Sequence, residues 1–132
     1  MSAAKGWAAS QIGYCSNVHP ARDLAGLRAS ITEHFQGVRT LRGLAQQDSG
    51  LWICAQAAAQ LQHAPTRTQF VQLLKQSGVR LTSLNGFPYG DFHQGAVKAE
   101  VYLPSWADPQ RLAYSLDPVS YTHLRAHETK AN

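Results

Sequence analysis

The stretch that decides the fold runs from residue 50 to residue 87, "GLWICAQAAAQLQHAPTRTQFVQLLKQSGVRLTSLNGF". Its two ends, "GLWICA" and "VRLTSLNGF", are short apolar-rich runs bounded by glycine or Asn85-Gly86, which is how strands read. "GLWICA" is apolar enough to be buried on both faces, as strands of a parallel sheet are. Between them the alanine-rich "AQAAAQLQ" favours helix. In "APTRTQFVQLLKQSG", Phe70, Leu73 and Leu74 form a stripe, Thr66 and Gln69 have the spacing of a capping box, and Gly78 sits where a helix end wants a left-handed residue. Strand, helix, strand with connections of this length is a parallel βαβ unit.

The same unit precedes it. "QIGYCSNVHP" predicts a strand over Gln11 to Ser16 that stops at Asn17 and Pro20, because proline cannot donate to a continuing ladder. In "ARDLAGLRASITEHFQGVRTLRG" the residues Leu24, Leu27, Ile31, Phe35, Val38 and Leu41 recur at three- and four-residue spacing. One helical face is therefore apolar, while Arg28, Glu33 and Arg39 point outward. Gly43 ends the helix, and "QQDSG" before the second strand reads as turn. Residues 1–10 read as a flexible N-terminus.

Parallel βα units form an open doubly wound sheet or a closed barrel, and in both ligands gather beyond the carboxyl ends of the strands. Those ends carry the polar and aromatic clusters "SNVHP" and "NGFPYGDFH". No GxGxxG or GxxxxGK[ST] pattern is present, so a nucleotide-binding Rossmann domain is disfavoured and the barrel gains. Asn17 and Asn85 suit amide hydrogen bonds to sugar hydroxyls, although asparagine also serves left-handed turns. His19 could bind an anionic or hydroxylated ligand or cap its turn. Tyr89 with Phe87 could form a stacking wall or plug a barrel mouth. His93, behind Asp91, is the candidate general base or metal ligand, with surface solvation as the alternative. Lys98 and Arg111 would attract a phosphate or stay solvated at helix ends. Trp52, Trp106 and Tyr102 read as core or lid packing.

Composition narrows the class. The 132 residues are 44% hydrophobic and 15% charged, as in soluble globular domains, with a formal charge of +4 and a pI near 9.3. The arginines are scattered over separate segments and form no run, so nucleic acid is not an expected partner. No window is long and apolar enough for a membrane span, and a cytoplasmic location is the expectation. Cys15 and Cys54 lie in apolar strand-like segments and read as buried reduced thiols; no CxxC or other zinc spacing occurs.

Three segments carry a resemblance. "GYCSNVHP", "LTSLNGFPYGDFH" and "VKAEVYLPSWADPQRLAYSL", in that order, resemble the N-terminal part of the EboE-type metabolite traffic proteins, which are similar to the xylose isomerase-like TIM barrels of sugar phosphate isomerases and epimerases. The resemblance spans Gln11 to about Leu116; Ser105 stands where the family tends to have a carboxylate. It implies an α/β fold made of the first three β/α units of a TIM barrel, with a small polar metabolite at the strand ends. In an enzyme of this kind a divalent metal, held by carboxylates and histidines, would polarise a carbonyl while a base moves a proton. No Glu or Asp lies at the end of any of the three strands, so no metal ligands are assigned within this chain. The alternatives are a non-catalytic metabolite carrier and a small stand-alone α/β binding domain.

A barrel of this class needs about 250 residues and eight strands. The chain is accordingly expected to be an incomplete barrel over residues 11–118. Its ending, "VSYTHLRAHET" over 119–129, resembles the translation of a transposon-end adapter used in sequencing-library preparation. His123 and His127, spaced four apart as metal ligands on one helical face would be, are set aside with that tail (119–132) as non-native.

Overall fold

A computed structural model of the chain describes residues 6, 8, 12–90 and 102–119. Three parallel strands, β1 (Tyr14–Cys15), β2 (Gln47–Trp52) and β3 (Val79–Asn85), lie in the order β1-β2-β3. Between β1 and β2 run α1 (Leu24–Ala29), a π-helical segment (Ser30–Phe35) and α2 (Gln36–Leu41). Between β2 and β3 run α3 (Ala55–Gln60) and α4 (Ala64–Gln76), and α5 (Pro109–Val119) comes last. This is the expected α/β architecture with helical crossovers. Each strand neighbours its successor, an arrangement shared by the start of a barrel and by half of a doubly wound sheet.

The core joins the inner faces of these elements. Leu24, Leu27, Ile31 and Phe35 from the first helical stretch meet Leu51 to Cys54, then Ala57, Ala58, Leu61, Phe70, Leu74, Val79, Leu81 and Tyr114, all buried. α3 packs between α1 and α5; its Ala57 and Ala58 are fully buried, and such small residues permit close backbone approach. Both helix-ending glycines are left-handed as expected, Gly43 at φ 66° and Gly78 at φ 72°.

Five expectations require correction. The first strand is two residues long, not six. Beyond Cys15 the chain turns through Ser16–Val18, and the Ser16 hydroxyl accepts the Trp52 N–H at 2.8 Å where a continuing ladder would have supplied a carbonyl. β2 in turn begins inside "QQDSG", at Gln47. Its polar half is held by partners that composition cannot reveal: Arg42 donates to Gln47 Oε1 at 2.7 Å, the Ser49 hydroxyl donates to the Tyr14 carbonyl at 2.7 Å, and Asp48 pairs with Arg80. The apolar end, Leu51 to Cys54, is buried as expected.

The apolar stripe of the first helix ends at Phe35, and Leu41 is 90% exposed. A π-helix carries roughly one extra residue per turn, closing i→i+5 bonds. The six residues of Ser30–Phe35 therefore rotate α2 by about one position relative to α1. Gln36 and Arg39 come inward, donating to Ser77 Oγ and the Leu44 carbonyl at 2.8 and 2.9 Å. In α4 the cap lies three residues earlier than expected: His63 is the N-cap and Thr66 its partner, Nδ1 to Oγ1 at 2.9 Å.

Finally, the two cysteines differ. Cys54 is buried, but Cys15 is exposed. It lies on the register row of Gly50 and Ser83, and Arg80 and Ser83 are exposed as well. No helix among the described residues is long and apolar enough to cross a membrane.

Candidate functional site

The carboxyl ends of the strands meet along one edge. Trp52 pairs in register with Asn85, its backbone N–H reaches Ser16, and Ile53 N donates to the Asn85 carbonyl at 3.0 Å. From this edge rise two side-chain clusters, one after β1 and one after β3.

After β1 the turn Ser16–Val18 and Pro20 fold the chain back so that His19 lies over Tyr14, five residues earlier. The Tyr14 hydroxyl and His19 Nε2 form a short hydrogen bond. Burial raises the Tyr14 pKa above its ordinary value. His19 also stacks on His34, at 4.1 Å between ring centroids and 10° from parallel. Tyr14 is propped by the edge of Phe35 at 5.8 Å. His34 and Phe35 both belong to the π-helical segment, so the register change that ends the apolar stripe also presents an exposed imidazole to His19. Asn17 sits in the same turn, half-buried.

After β3 the polar residues are spent on shaping a loop. Asn85 Oδ1 accepts from Phe87 N at 3.0 Å, the side-chain-to-backbone bond of an Asx turn. Tyr89 turns inward onto Tyr114, edge to face at 5.2 Å, and its carbonyl accepts from Ala55 N. The Pro88 carbonyl receives both the Trp52 indole N–H at 2.8 Å and the Tyr114 hydroxyl, which also lies 2.6 Å from the Ile53 carbonyl. Tyr114 is pushed far above the ordinary tyrosine pKa, chiefly by burial.

Arg111 departs from its expected place as a solvated, phosphate-attracting cation. It is 1% exposed, donating to the carbonyls of Pro104, Phe87 and Leu103 at 2.9, 2.5 and 3.3 Å. The rings of Phe87, Tyr89, Trp106 and Tyr114 surround its guanidinium, with centroids 5.1 to 5.9 Å away. α5 supplies the arginine and the loops on either side supply the acceptors, so one side chain binds three segments together. Trp52 is core packing, while Tyr102 and Trp106 are exposed at 65% and 73% and lean on Phe87.

Of the residues singled out from sequence, His19 and Asn17 share the first cluster, and Asn85 and Tyr89 the second. His93, Asp91, Lys98, His123 and His127 lie outside the described residues. Three residues were missed in these roles: Tyr14, His34 and Arg111. Tyr14 and His19 stand five apart in a strand-and-turn segment, a weak signal; nothing in the helical periodicity signals His34, because the π register is invisible to it. Among the described residues no three His, Cys, Asp or Glu side chains converge as a metal-binding group would. No family model matches this chain, and no curated protein or solved structure matches it.

Proposed function

We propose that this chain binds a small polar metabolite, a sugar or sugar phosphate, at the carboxyl ends of its parallel strands, in the manner of the EboE-type metabolite traffic proteins that it resembles. The observation carrying this reading is the Tyr14–His19–His34 cluster. It places two imidazoles, the ordinary partners of hydroxylated and anionic ligands, at the edge where parallel α/β sheets take their ligands. Tyr14 orients His19, His34 supports its other side, and Asn17 supplies an amide from the same turn. In this reading Asn85 and Tyr89 hold the neighbouring loop in shape.

Binding, with or without conversion, is the function proposed. An isomerase or epimerase activity would need a base beside the bound carbonyl. The test is calorimetric titration with a panel of sugars and sugar phosphates against the parent chain, His19→Ala and His34→Ala. A ligand whose affinity falls at least about tenfold in His19→Ala, the loss of one charged or neutral hydrogen-bonding group, supports the reading. A ligand that binds all three proteins equally, or no ligand in the panel binding the parent, refutes it.

A further inference from the structure

We propose that the exposed rings of Trp106 and Tyr102, set around half-buried Phe87, form a stacking platform for a planar, electron-rich heteroaromatic ring of the purine type. This goes beyond the polar-metabolite reading and does not depend on it. The platform is built, not incidental: Phe87 is in edge contact with Tyr102 at 5.7 Å and in tilted contact with Trp106 at 6.4 Å. Its position is held by the buried Arg111, which takes the Phe87 carbonyl and the carbonyls of Leu103 and Pro104 on the two chain segments that carry the rings. Large aromatic side chains left this exposed, on a framework this firmly anchored, are unusual for a surface that only meets water.

The guanidinium also decides which ligand fits. It lies 5.1 Å from the Phe87 centroid and 5.5 Å from that of Trp106, and no carboxylate among the described residues pairs with it. A cation on one face of a ring draws on the negative face potential that a second cation, or the C–H groups of a sugar, would need on the other. The outward faces are therefore poor for ammonium ligands and for sugars, and suited to an electron-rich π system. A nucleic-acid strand is a worse occupant than a free small molecule. It would require cations along its backbone, and over residues 102–118 Arg111 is the one Lys or Arg, with Asp108 and Asp117 beside it.

The experiment is a calorimetric titration of the full chain with adenosine, with quenching of tryptophan emission as a second readout in the parent. Methyl glucoside and tetramethylammonium are the comparison probes. Saturable binding of adenosine is expected by calorimetry, weakened at least about tenfold in Trp106→Leu and kept in Trp106→Phe, since stacking on one aromatic ring has that worth. Trp106 is 73% exposed, so both variants should melt near the parent temperature, and a calorimetric scan checks this. Absence of saturation up to millimolar adenosine, equal binding by Trp106→Leu, or tighter binding of the glucoside or the ammonium probe would each overturn the proposal. His19→Ala serves as the control that separates this platform from the polar site, because it should leave adenosine binding unchanged.

Discussion

Gly43 and Gly78 occupy the same position past the ends of two helices and have nearly the same backbone conformation, yet replacing each with alanine should have unequal effects. Both sit at positive φ, 66° and 72°, where a Cβ costs about 1–2 kcal/mol by contact with its own backbone. At Gly43 a Cβ would meet nothing within 4 Å, so the conformational cost is the whole cost. At Gly78 it would stand 2.6 Å from the Ala45 carbonyl oxygen and 2.9 Å from Arg39 Cδ. Arg39 can move only by giving up its bond to the Leu44 carbonyl. The Ala45 carbonyl is backbone, next to the point where Gln47 N–H bonds the Gly78 carbonyl at 2.9 Å and opens the pairing of β2 with β3. Relieving the clash therefore shifts the strand register contact, an overpacking cost of about 1–3 kcal/mol. Gly43→Ala should lose about 1–2 kcal/mol and Gly78→Ala about 2–5 kcal/mol. For a chain of this size, each kcal/mol lowers Tm by about 3–6 °C. Urea unfolding of the two variants beside the parent, with Tm from calorimetry, measures the gap. Equal losses within error would mean that β2 yields freely at Ala45 and that the clash carries no energy.

Other contacts give three more expected outcomes. Tyr114→Phe removes the hydroxyl that serves the buried Ile53 and Pro88 carbonyls and should cost about 1–3 kcal/mol by denaturant unfolding; a variant as stable as the parent would show that these carbonyls find other donors. Burial raises the pKa of Cys54 above its ordinary 9.0 and those of Tyr14 and Tyr114 above 10.0. The folded state thus holds these protons more tightly than the unfolded state does, so their contribution is complete below pH 9 and is lost as the pH rises past 9 and then past 10. Stability that stays flat from pH 8.5 to 11, measured by urea unfolding, would contradict this. The thiols should also separate by reactivity: Cys15 is exposed and should react with a disulfide reagent in the native protein, whereas buried Cys54 should react only on unfolding. Two equivalents consumed at the same native rate would refute the placement of Cys54.

Local sequence determined the alternation of elements. The stripe Leu24, Leu27, Ile31, Phe35, the run Leu51 to Cys54 and the glycines at 43 and 78 each act within a turn or two of chain, where apolar spacing and left-handed backbone are set by the residues themselves. Hence the parallel α/β reading and the position of His19 and Asn17 beyond the first strand were legible. Tertiary structure alone decided the rest, because it turns on partners distant in sequence. "QQDSG" becomes strand only because Arg42, Tyr14 and Arg80 satisfy its polar side chains. Arg111 becomes a buried staple only because the carbonyls of Phe87, Leu103 and Pro104 converge on it, offsetting the desolvation that would otherwise keep a lone cation in water. His34 joins His19 only through the π-helical turn, whose extra residue no hydrophobic period announces.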